Sequence, residues 1–138
     1  MRRAAAALSL VAMLAAACAN PAGGALEECE PGLEPAGIAV PEAGIQTPDT
    51  IALECYRVVR DTRIEVLFAM PAGPECHGVS IVDAVESADA VSIELRVGRV
   101  VNPLGGACPE TESQWAVQVE LNQPIGTRQV LDRSQPAG

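Results

Sequence analysis

The feature that most constrains the fold of this chain is a two-residue hydrophobic alternation in its second part, from residue 50 onward. In residues 91–97, Val, Ile, Leu and Val alternate with Ser, Glu and Arg. Such alternation places the apolar side chains on one face of a half-buried β-strand. Runs with strand character occupy residues 51–59, 64–70, 79–85, 91–97, 115–121 and 127–131. The pattern therefore predicts roughly six strands.

Turn-forming residues separate these runs. They are Asp61-Thr62, residues 71–74, Ser87-Ala88-Asp89 and residues 102–106. Short strands at this spacing are typical of a small antiparallel β-sandwich or barrel. No stretch after residue 17 shows the apolar stripe of an amphipathic helix. We predict an all-β domain over residues 50–138.

The first residues resemble an export signal. Arg2 and Arg3 precede an uncharged stretch of about 14 residues, at 4–17, which is shorter than the roughly 20 residues of a bilayer-spanning helix. Residues 14–18, Leu-Ala-Ala-Ala-Cys, resemble a bacterial lipobox, although the leucine stands one place early. We predict a signal peptide over residues 1–17 and lipid attachment at Cys18. The alternative is cleavage after Ala19 by ordinary signal peptidase.

The number of cysteines favours the lipidated alternative. The chain has five cysteines, an odd number that is unusual in an exported protein. Assigning Cys18 to lipid leaves Cys29, Cys55, Cys76 and Cys108 as an even set. In an oxidising compartment these four are expected to form two disulfides, for which three pairings exist.

One pairing is favoured by chain length and by position. Cys76 and Cys108 flank a predicted hairpin, and closing that loop would stabilise the fold by about 3–4 kcal/mol. Cys29 and Cys55 would close a loop of similar length. We therefore predict the 76–108 and 29–55 pairs.

The segment between the predicted lipid and the domain is acidic. From Cys18 to Glu54 there are seven acidic residues, no basic residue and five prolines. Such a composition buries too little apolar surface to offset chain entropy. We predict a disordered, semi-extended tether over residues 18–49. The net charge of -9 argues against nucleic acid or anionic lipid as a partner.

A family resemblance follows from the order of four motifs. These are Cys76-His77-Gly78-Val79, the strand at residues 90–98, Ala107-Cys108, and residues 119–132, of the type V-x-L-x-x-P-[LI]-G-x-R-x-V-x-D. Together they resemble a largely uncharacterised group of small actinobacterial exported proteins and lipoproteins. The resemblance covers about residues 55–133. It implies two cysteines flanking a β-hairpin, which supports the 76–108 pair, and it implies no activity.

Candidate catalytic and metal-binding residues are few. His77 is the only histidine, and a lone histidine beside a bridged cysteine is usually a turn or surface residue. Met70, Cys76 and His77 would form a soft-metal site only if Cys76 were reduced. The serines at 80, 87, 92 and 113 lie in no G-x-S-x-G elbow. Asp83, Glu86 and Asp89 surround a predicted turn, but their spacing matches no calcium-binding loop. We predict no catalytic residue, metal or cofactor.

Two functional hypotheses remain. The first is a non-enzymatic extracytoplasmic lipoprotein, anchored in the cell membrane through Cys18, that binds an envelope protein or acts as an accessory module. The second is a small envelope hydrolase or metal-handling lipoprotein that depends on His77.

Overall fold

The computed structural model describes residues 24–71, 73–101 and 106–134. The predicted signal peptide and Cys18 lie outside the described residues. The described chain forms nine strands and no helix. They are β1 (Gly24–Ala25), β2 (Ile38–Ala39), β3 (Gln46–Thr50), β4 (Cys55–Arg60), β5 (Arg63–Pro71), β6 (His77–Glu86), β7 (Ala90–Arg99), β8 (Glu112–Glu120) and β9 (Gln129–Asp132). The all-β prediction is confirmed.

The strands form a five-stranded and a four-stranded sheet. In the five-stranded sheet, β6 pairs along one edge of β7, while β9 and β3 pair with successive halves of its other edge. Beyond β9, β1 is the outermost strand. The four-stranded sheet has the order β2-β8-β5-β4. The β2–β8 and β7–β9 pairs are parallel, and the other strand pairs are antiparallel.

The core lies between the inner faces of the two sheets. The alternation in β7 places Val91, Ile93 and Leu95 inside, each with no exposed surface. Ile64, Val66 and Phe68 of β5 face them from the other sheet and are equally buried. Apolar burial of this kind is the dominant stabilising contribution in a domain of this size. All six predicted strands are present, as β4 to β9.

The structure differs from the prediction in the acidic segment. Residues 24–49 were predicted to belong to a disordered tether, but they contribute β1, β2 and most of β3. The main-chain N–H of Cys29 donates to the carbonyl of Tyr56 at 2.8 Å. These short strands are held by main-chain hydrogen bonds to neighbouring strands. Such bonds do not require hydrophobic alternation in the sequence, so the alternation pattern did not predict them. The described domain therefore begins at Gly24, well before residue 50.

Only part of this N-terminal segment lies beside the four-stranded sheet, because β1 and β3 belong to the five-stranded sheet. On the outer face of the four-stranded sheet, Leu67 and Ala116 are neighbours, and both are fully buried. Glu65, on the same face, is 5% exposed, and its carboxylate accepts hydrogen bonds from Arg57 at 2.6 Å and from Gln118 at 3.1 Å. The outer face of this sheet is therefore at least partly covered.

Both predicted disulfides are present. Cys29 is bonded to Cys55, and Cys76 is bonded to Cys108. The first joins the N-terminal segment to β4. The second joins the start of β6 to the chain between β7 and β8.

Candidate functional site

A segment of the chain connects the two sheets at one end of the sandwich. We call residues 36–46 the bridging segment. On the four-stranded sheet, the N–H of Ala36 donates to the carbonyl of Gln114 at 2.7 Å, and β2 pairs with β8. On the five-stranded sheet, the N–H of Glu42 donates to the carbonyl of Val79 at 2.9 Å. The bridging segment therefore crosses the gap between the sheets.

Two glycines allow this close crossing. A Cβ added to Gly37 would lie 2.5 Å from Cζ3 of Trp115, and one added to Gly78 would lie 2.8 Å from Cδ1 of Ile45. Real Cβ atoms do not approach heavy atoms so closely. The bridging segment is therefore in direct contact with the Trp115 ring and with the start of β6.

A cavity of about 180 Å³ lies beneath the bridging segment; we call it the His77 cavity. Met70, Val79 and Trp115 line it, and Ile38 and Val40 line it from the bridging segment. The last two side chains are 40% and 68% exposed, so apolar surface continues from the cavity to the outside. The lining is apolar except for His77 and Glu42.

His77 has an unpaired ring nitrogen. Its Nδ1 atom is buried and has no hydrogen-bond partner among the described residues, whereas its main-chain N–H donates to the carbonyl of Gly73 at 3.0 Å. A buried polar atom without a partner costs roughly 1–3 kcal/mol. Because Nδ1 is closed off from solvent, the ring contributes its other atoms to the cavity lining. His77 therefore lines a cavity, a role that its position beside a bridged cysteine did not predict.

The residues considered for soft-metal binding are only partly brought together. Met70 and His77 line the same cavity, but Cys76 is in a disulfide and supplies no thiolate. In the described ranges no group of three or more His, Cys, Asp or Glu side chains is placed to hold a metal ion.

The candidate serines are not arranged as nucleophiles. The hydroxyl of Ser113 accepts a hydrogen bond from the indole N–H of Trp115 at 2.9 Å, and that of Ser87 lies at the turn before Ala90. No serine reaches Nδ1 of His77, since that atom has no partner in the described part of the chain.

The opposite end of β6 carries a cluster of hydrogen-bonded polar groups beside a cavity of about 480 Å³, and we call this cluster the Arg128 clasp. Glu86 accepts hydrogen bonds from the N–H groups of Asn122 at 2.8 Å and Gln123 at 3.3 Å, and from Nη1 of Arg128 at 3.1 Å. Nη2 of Arg128 donates to the carbonyls of Gln123 at 2.7 Å and Pro124 at 2.9 Å. The clasp joins the β6–β7 turn to the loop between β8 and β9.

The clasp shifts the titration of its carboxylate. The hydrogen bond from Asn122 is the main cause that lowers the pKa of Glu86, and burial opposes it. Arg128 and Gln123 lower that pKa further. Glu86 is thus held as an anion and acts as an acceptor for the loop.

The three acidic residues considered for calcium binding make other contacts. Asp83 pairs with Arg133 at 2.6 Å, Glu86 pairs with Arg128, and the carbonyl of Asp89 accepts from Gln129 at 3.0 Å. Two of the three carboxylates therefore face arginines.

A third concave surface lies beside the Cys29–Cys55 disulfide. Glu27, Glu28, Glu30 and Glu54 line a groove of about 500 Å³ there. Burial, followed by the charge of Glu28, raises the pKa of the nearby Tyr56. The groove shows that the acidic segment is acidic on its surface as well as in its composition.

Sequence reasoning missed the bridging segment and the role of Trp115, because neither carries a motif. It did single out residues 119–132, which contain Arg128 and Asp132. Asp132 is 1% exposed, and its carboxylate accepts from the N–H of Leu53 at 2.9 Å and from both N–H and hydroxyl of Ser134. The closing motif is therefore structural.

No protein-family model, curated protein or solved structure matches this chain. In residues 24–71, 73–101 and 106–134 there is no helix of the length and apolar character needed to cross a bilayer.

Proposed function

We propose that the protein is an exported lipoprotein, acylated at Cys18, whose β-sandwich binds another component of the cell envelope. The observation that carries the binding role is the His77 cavity, where apolar side chains from the bridging segment and from β5, β6 and β8 meet His77 and Glu42 at the surface. A concave, mainly apolar surface with a few polar groups is the usual form of a binding site.

The N-terminal sequence supports export and anchoring. A positive start, a short apolar stretch and the lipobox-like residues 14–18 precede the first described strand. The two disulfides are typical of an oxidising compartment. The resemblance to small actinobacterial lipoproteins points in the same direction.

The ordered N-terminal segment changes how the anchor would act. β1 begins at Gly24, six residues after Cys18. A fully extended stretch of that length spans at most about 20 Å. Lipid on Cys18 would therefore hold the β1 edge of the sandwich close to the membrane surface, instead of lifting the domain on a long tether.

Mass spectrometry of the mature N-terminus tests the anchor. We expect an acylated Cys18 as the first residue, and we expect Cys18→Ser to release the protein from the membrane fraction. An unmodified N-terminus at Asn20 would contradict the lipoprotein assignment and support ordinary secretion.

Position-specific photocrosslinking in intact cells tests the binding role. A photoreactive residue at position 40, beside the His77 cavity, is compared with one at position 59, an exposed valine of β4. We expect defined crosslinked products from position 40 and none from position 59. Equal products from both, or none from either, would contradict a binding role for this surface.

A second candidate function is metal handling at His77, and one observation favours it. The Met70 and His77 side chains line the same cavity, and both are ligand types for soft metals. Titration with silver ion, followed through Trp115 fluorescence, tests it against His77→Ala. Unchanged metal uptake, together with unchanged activity on a panel of hydrolase substrates, would remove both this candidate and the hydrolase.

A further inference from the structure

We infer that the partner of this domain is an extended segment of another protein, which pairs as an additional β-strand with β6 and ends beside the His77 cavity. We call residues 82–86 of β6 the open edge. The inference rests on the proposed binding function, because β6 leads from the open edge to Val79 in the lining of that cavity. It adds the form and the chemistry of the partner.

The main-chain groups of the open edge point away from β7. The carbonyl of Ile93 on β7 accepts from the N–H of Arg133, beyond β9, at 2.8 Å and therefore faces away from β6. The register partner of Ile93 on β6 is Ala84. The carbonyl of Leu95, the partner of Val82, is likewise bonded on the far side of β7. In an antiparallel pair, residues at such positions direct their N–H and C=O groups to the outer edge.

These outward groups are available to another strand. Within the described ranges β6 pairs only with β7, and no main-chain group outside β7 bonds to the open edge. The bridging segment bonds to β6 earlier, at Val79, and the register shift of β6 between Val79 and Ile81 also precedes the open edge. β6 contains no proline, lysine or arginine. The open edge is therefore a regular strand edge without a main-chain partner in the part of the chain that the structure describes.

The other outer strands are less suited to strand addition. β3 contains Pro48, which has no N–H, and a register shift interrupts its pairing with β7. Residues 27–29 already bond to the start of β4 at Tyr56, and β4 ends at the charged Arg60. β1 and β2 have two residues each. Proline, bulges, charge and short length are common means of blocking an edge.

The side chains beside the open edge indicate what the added strand contains. Val82 and Ala84 are half-buried against the core, so a neighbouring strand would cover them further. On the outer face, Ile81 and Val85 are 47% and 51% exposed, and Asp83 lies between them. Cross-strand contacts with these residues favour apolar and β-branched side chains. The net charge of -9 favours basic residues at the ends of the segment.

A second copy of this chain fits the open edge less well. Each copy carries the same net charge of -9 and has no lysine. Pairing β6 with β6 of another copy would bring two acidic surfaces together, including Asp83 of each, and like charges across strands are destabilising. A different protein with basic residues is therefore the favoured occupant.

The His77 cavity lies beyond one end of the open edge. Val79 lines the cavity, and Ile38 and Val40 add exposed apolar surface from the bridging segment. A strand paired with the five residues of the open edge covers about 17 Å, so the residues that follow it reach the bridging segment. In strand addition, main-chain hydrogen bonds give affinity and pockets beside the edge give specificity.

Peptides with and without main-chain donors test the inference. The protein is the full chain with Cys18→Ser, exported and oxidised but unable to carry lipid. The probes are capped, fluorescently labelled peptides. The first is Arg-Val-Thr-Val-Thr-Val-Arg, the second is the same peptide N-methylated at its central residues, and the third has Glu in place of both Arg. Anisotropy measures binding, and amide NMR shifts locate the contact.

We expect the first peptide to bind about ten-fold more tightly than its N-methylated form, because main-chain hydrogen bonds are lost. The Glu peptide should also bind more weakly. Ala84→Pro removes an outward N–H but no bond to β7, and it should weaken the first peptide about five-fold. Val85→Ser should weaken it by a smaller factor, whereas Val59→Ser, at a similarly exposed valine of β4, should leave it unchanged.

Several results would overturn the inference. They are equal binding of the first peptide and its N-methylated form, amide shifts located at the acidic groove beside Cys29–Cys55, or no binding of any peptide. A dimer in analytical ultracentrifugation that Ala84→Pro abolishes would show that a second copy occupies the open edge. If Ala84→Pro fails to fold, Val85→Ser against Val59→Ser decides the location.

Failure of this inference can be told apart from failure of the proposed function. Crosslinks from position 40 without peptide binding would support the binding role of the cavity and contradict strand addition. Peptide binding at the open edge without crosslinks from position 40 would support strand addition and contradict the role of the cavity.

Discussion

The two ends of β6 are held to the rest of the sandwich in different ways. At Glu86, the Arg128 clasp brings five main-chain groups and two charged side chains into mutual hydrogen bonds. At His77, the sandwich is closed by the bridging segment and the Cys76–Cys108 disulfide, and a ring nitrogen remains unpaired beside a cavity.

The difference concerns how each end is held. Glu86 and both Nη atoms of Arg128 are hydrogen-bonded within the clasp, although Nε of Arg128 is buried without a partner among the described residues. At the His77 end a covalent bond holds the chain beside a cavity whose lining side chains are mainly apolar. We therefore expect the Arg128 clasp to contribute mainly to stability, and the proposed binding role rests on the His77 cavity.

The largest expected effect is loss of the clasp. Side chains of Arg128 and Glu86 are 9% and 14% exposed, so Arg128→Met leaves a poorly solvated carboxylate without its cation. We expect a loss of about 3–5 kcal/mol in the free energy of unfolding, measured by urea denaturation. The matched control is Arg96→Met, which removes the more exposed pair with Glu94 and should cost less than about 1 kcal/mol. Equal losses in both variants would contradict a structural role for the clasp.

The disulfide at the other end is expected to contribute nearly as much. It closes a loop with a sequence separation of 32 residues. Replacing Cys76 and Cys108 by serine together should lower the free energy of unfolding by about 3–4 kcal/mol. Crosslinking from position 40 should also weaken, because the start of β6 is released. Unchanged crosslinking would show that the cavity does not depend on the bond.

Asp132 tests whether hydrogen bonds to a buried carboxylate contribute to stability outside the clasp. Asp132→Asn replaces one acceptor oxygen by a donor group that faces the N–H of Leu53 or the Ser134 donors. We expect a loss of about 2 kcal/mol in thermal or urea denaturation. A variant as stable as the parent would mean that these hydrogen bonds are not needed to hold β9.

Replacing His77 is expected to stabilise the protein, in contrast to the replacements above. In His77→Phe, the unpaired Nδ1 is removed and the cavity lining becomes more apolar. We expect the free energy of unfolding, measured by urea denaturation, to rise by about 1 kcal/mol. A loss of stability of that size would show that Nδ1 has a partner.

The smallest expected effect is the acid sensitivity of the clasp. Its hydrogen bonds lower the pKa of Glu86 below the ordinary value of 4.5. The stabilisation is therefore complete above pH 4.5 and is lost as the pH falls through the lower folded-state pKa. Glu86→Gln should flatten this part of the stability curve, measured by urea denaturation between neutral and acidic pH. If the Glu86→Gln variant loses stability equally steeply as the pH falls, the loss is caused by other carboxylates.

Much of the fold was predictable from local pattern. The alternation in residues 91–97 depends only on which residues face the core, and it located β7 correctly. The Cys76–Cys108 disulfide was predicted from its position on either side of a hairpin, and the Cys29–Cys55 disulfide from the similar length of the loop that it closes. By contrast, β1 and β2 were missed because strands of two residues carry no period, and their acidic, proline-rich surroundings are typical of disorder.

The candidate site was less predictable than the fold. His77 was noticed only because it is the single histidine, and Trp115 was read as one member of a strand. Their meeting in one cavity depends on where the bridging segment crosses between the sheets. No residue in that segment indicates the crossing, although Gly37 and Gly78 make it possible.

The sequence by itself determined the strand-forming part of the chain and its acidic character, and it favoured one of the three possible pairings of the four cysteines. These properties follow from side-chain chemistry and from spacing along the chain. Only the tertiary structure decided that the acidic segment is part of the domain, that Glu86 meets Arg128, and that one nitrogen of His77 is left unpaired. The physical reason is that hydrogen bonds between distant main-chain groups, and the space between two sheets, are properties of the packed chain and leave no local trace in the residues that take part.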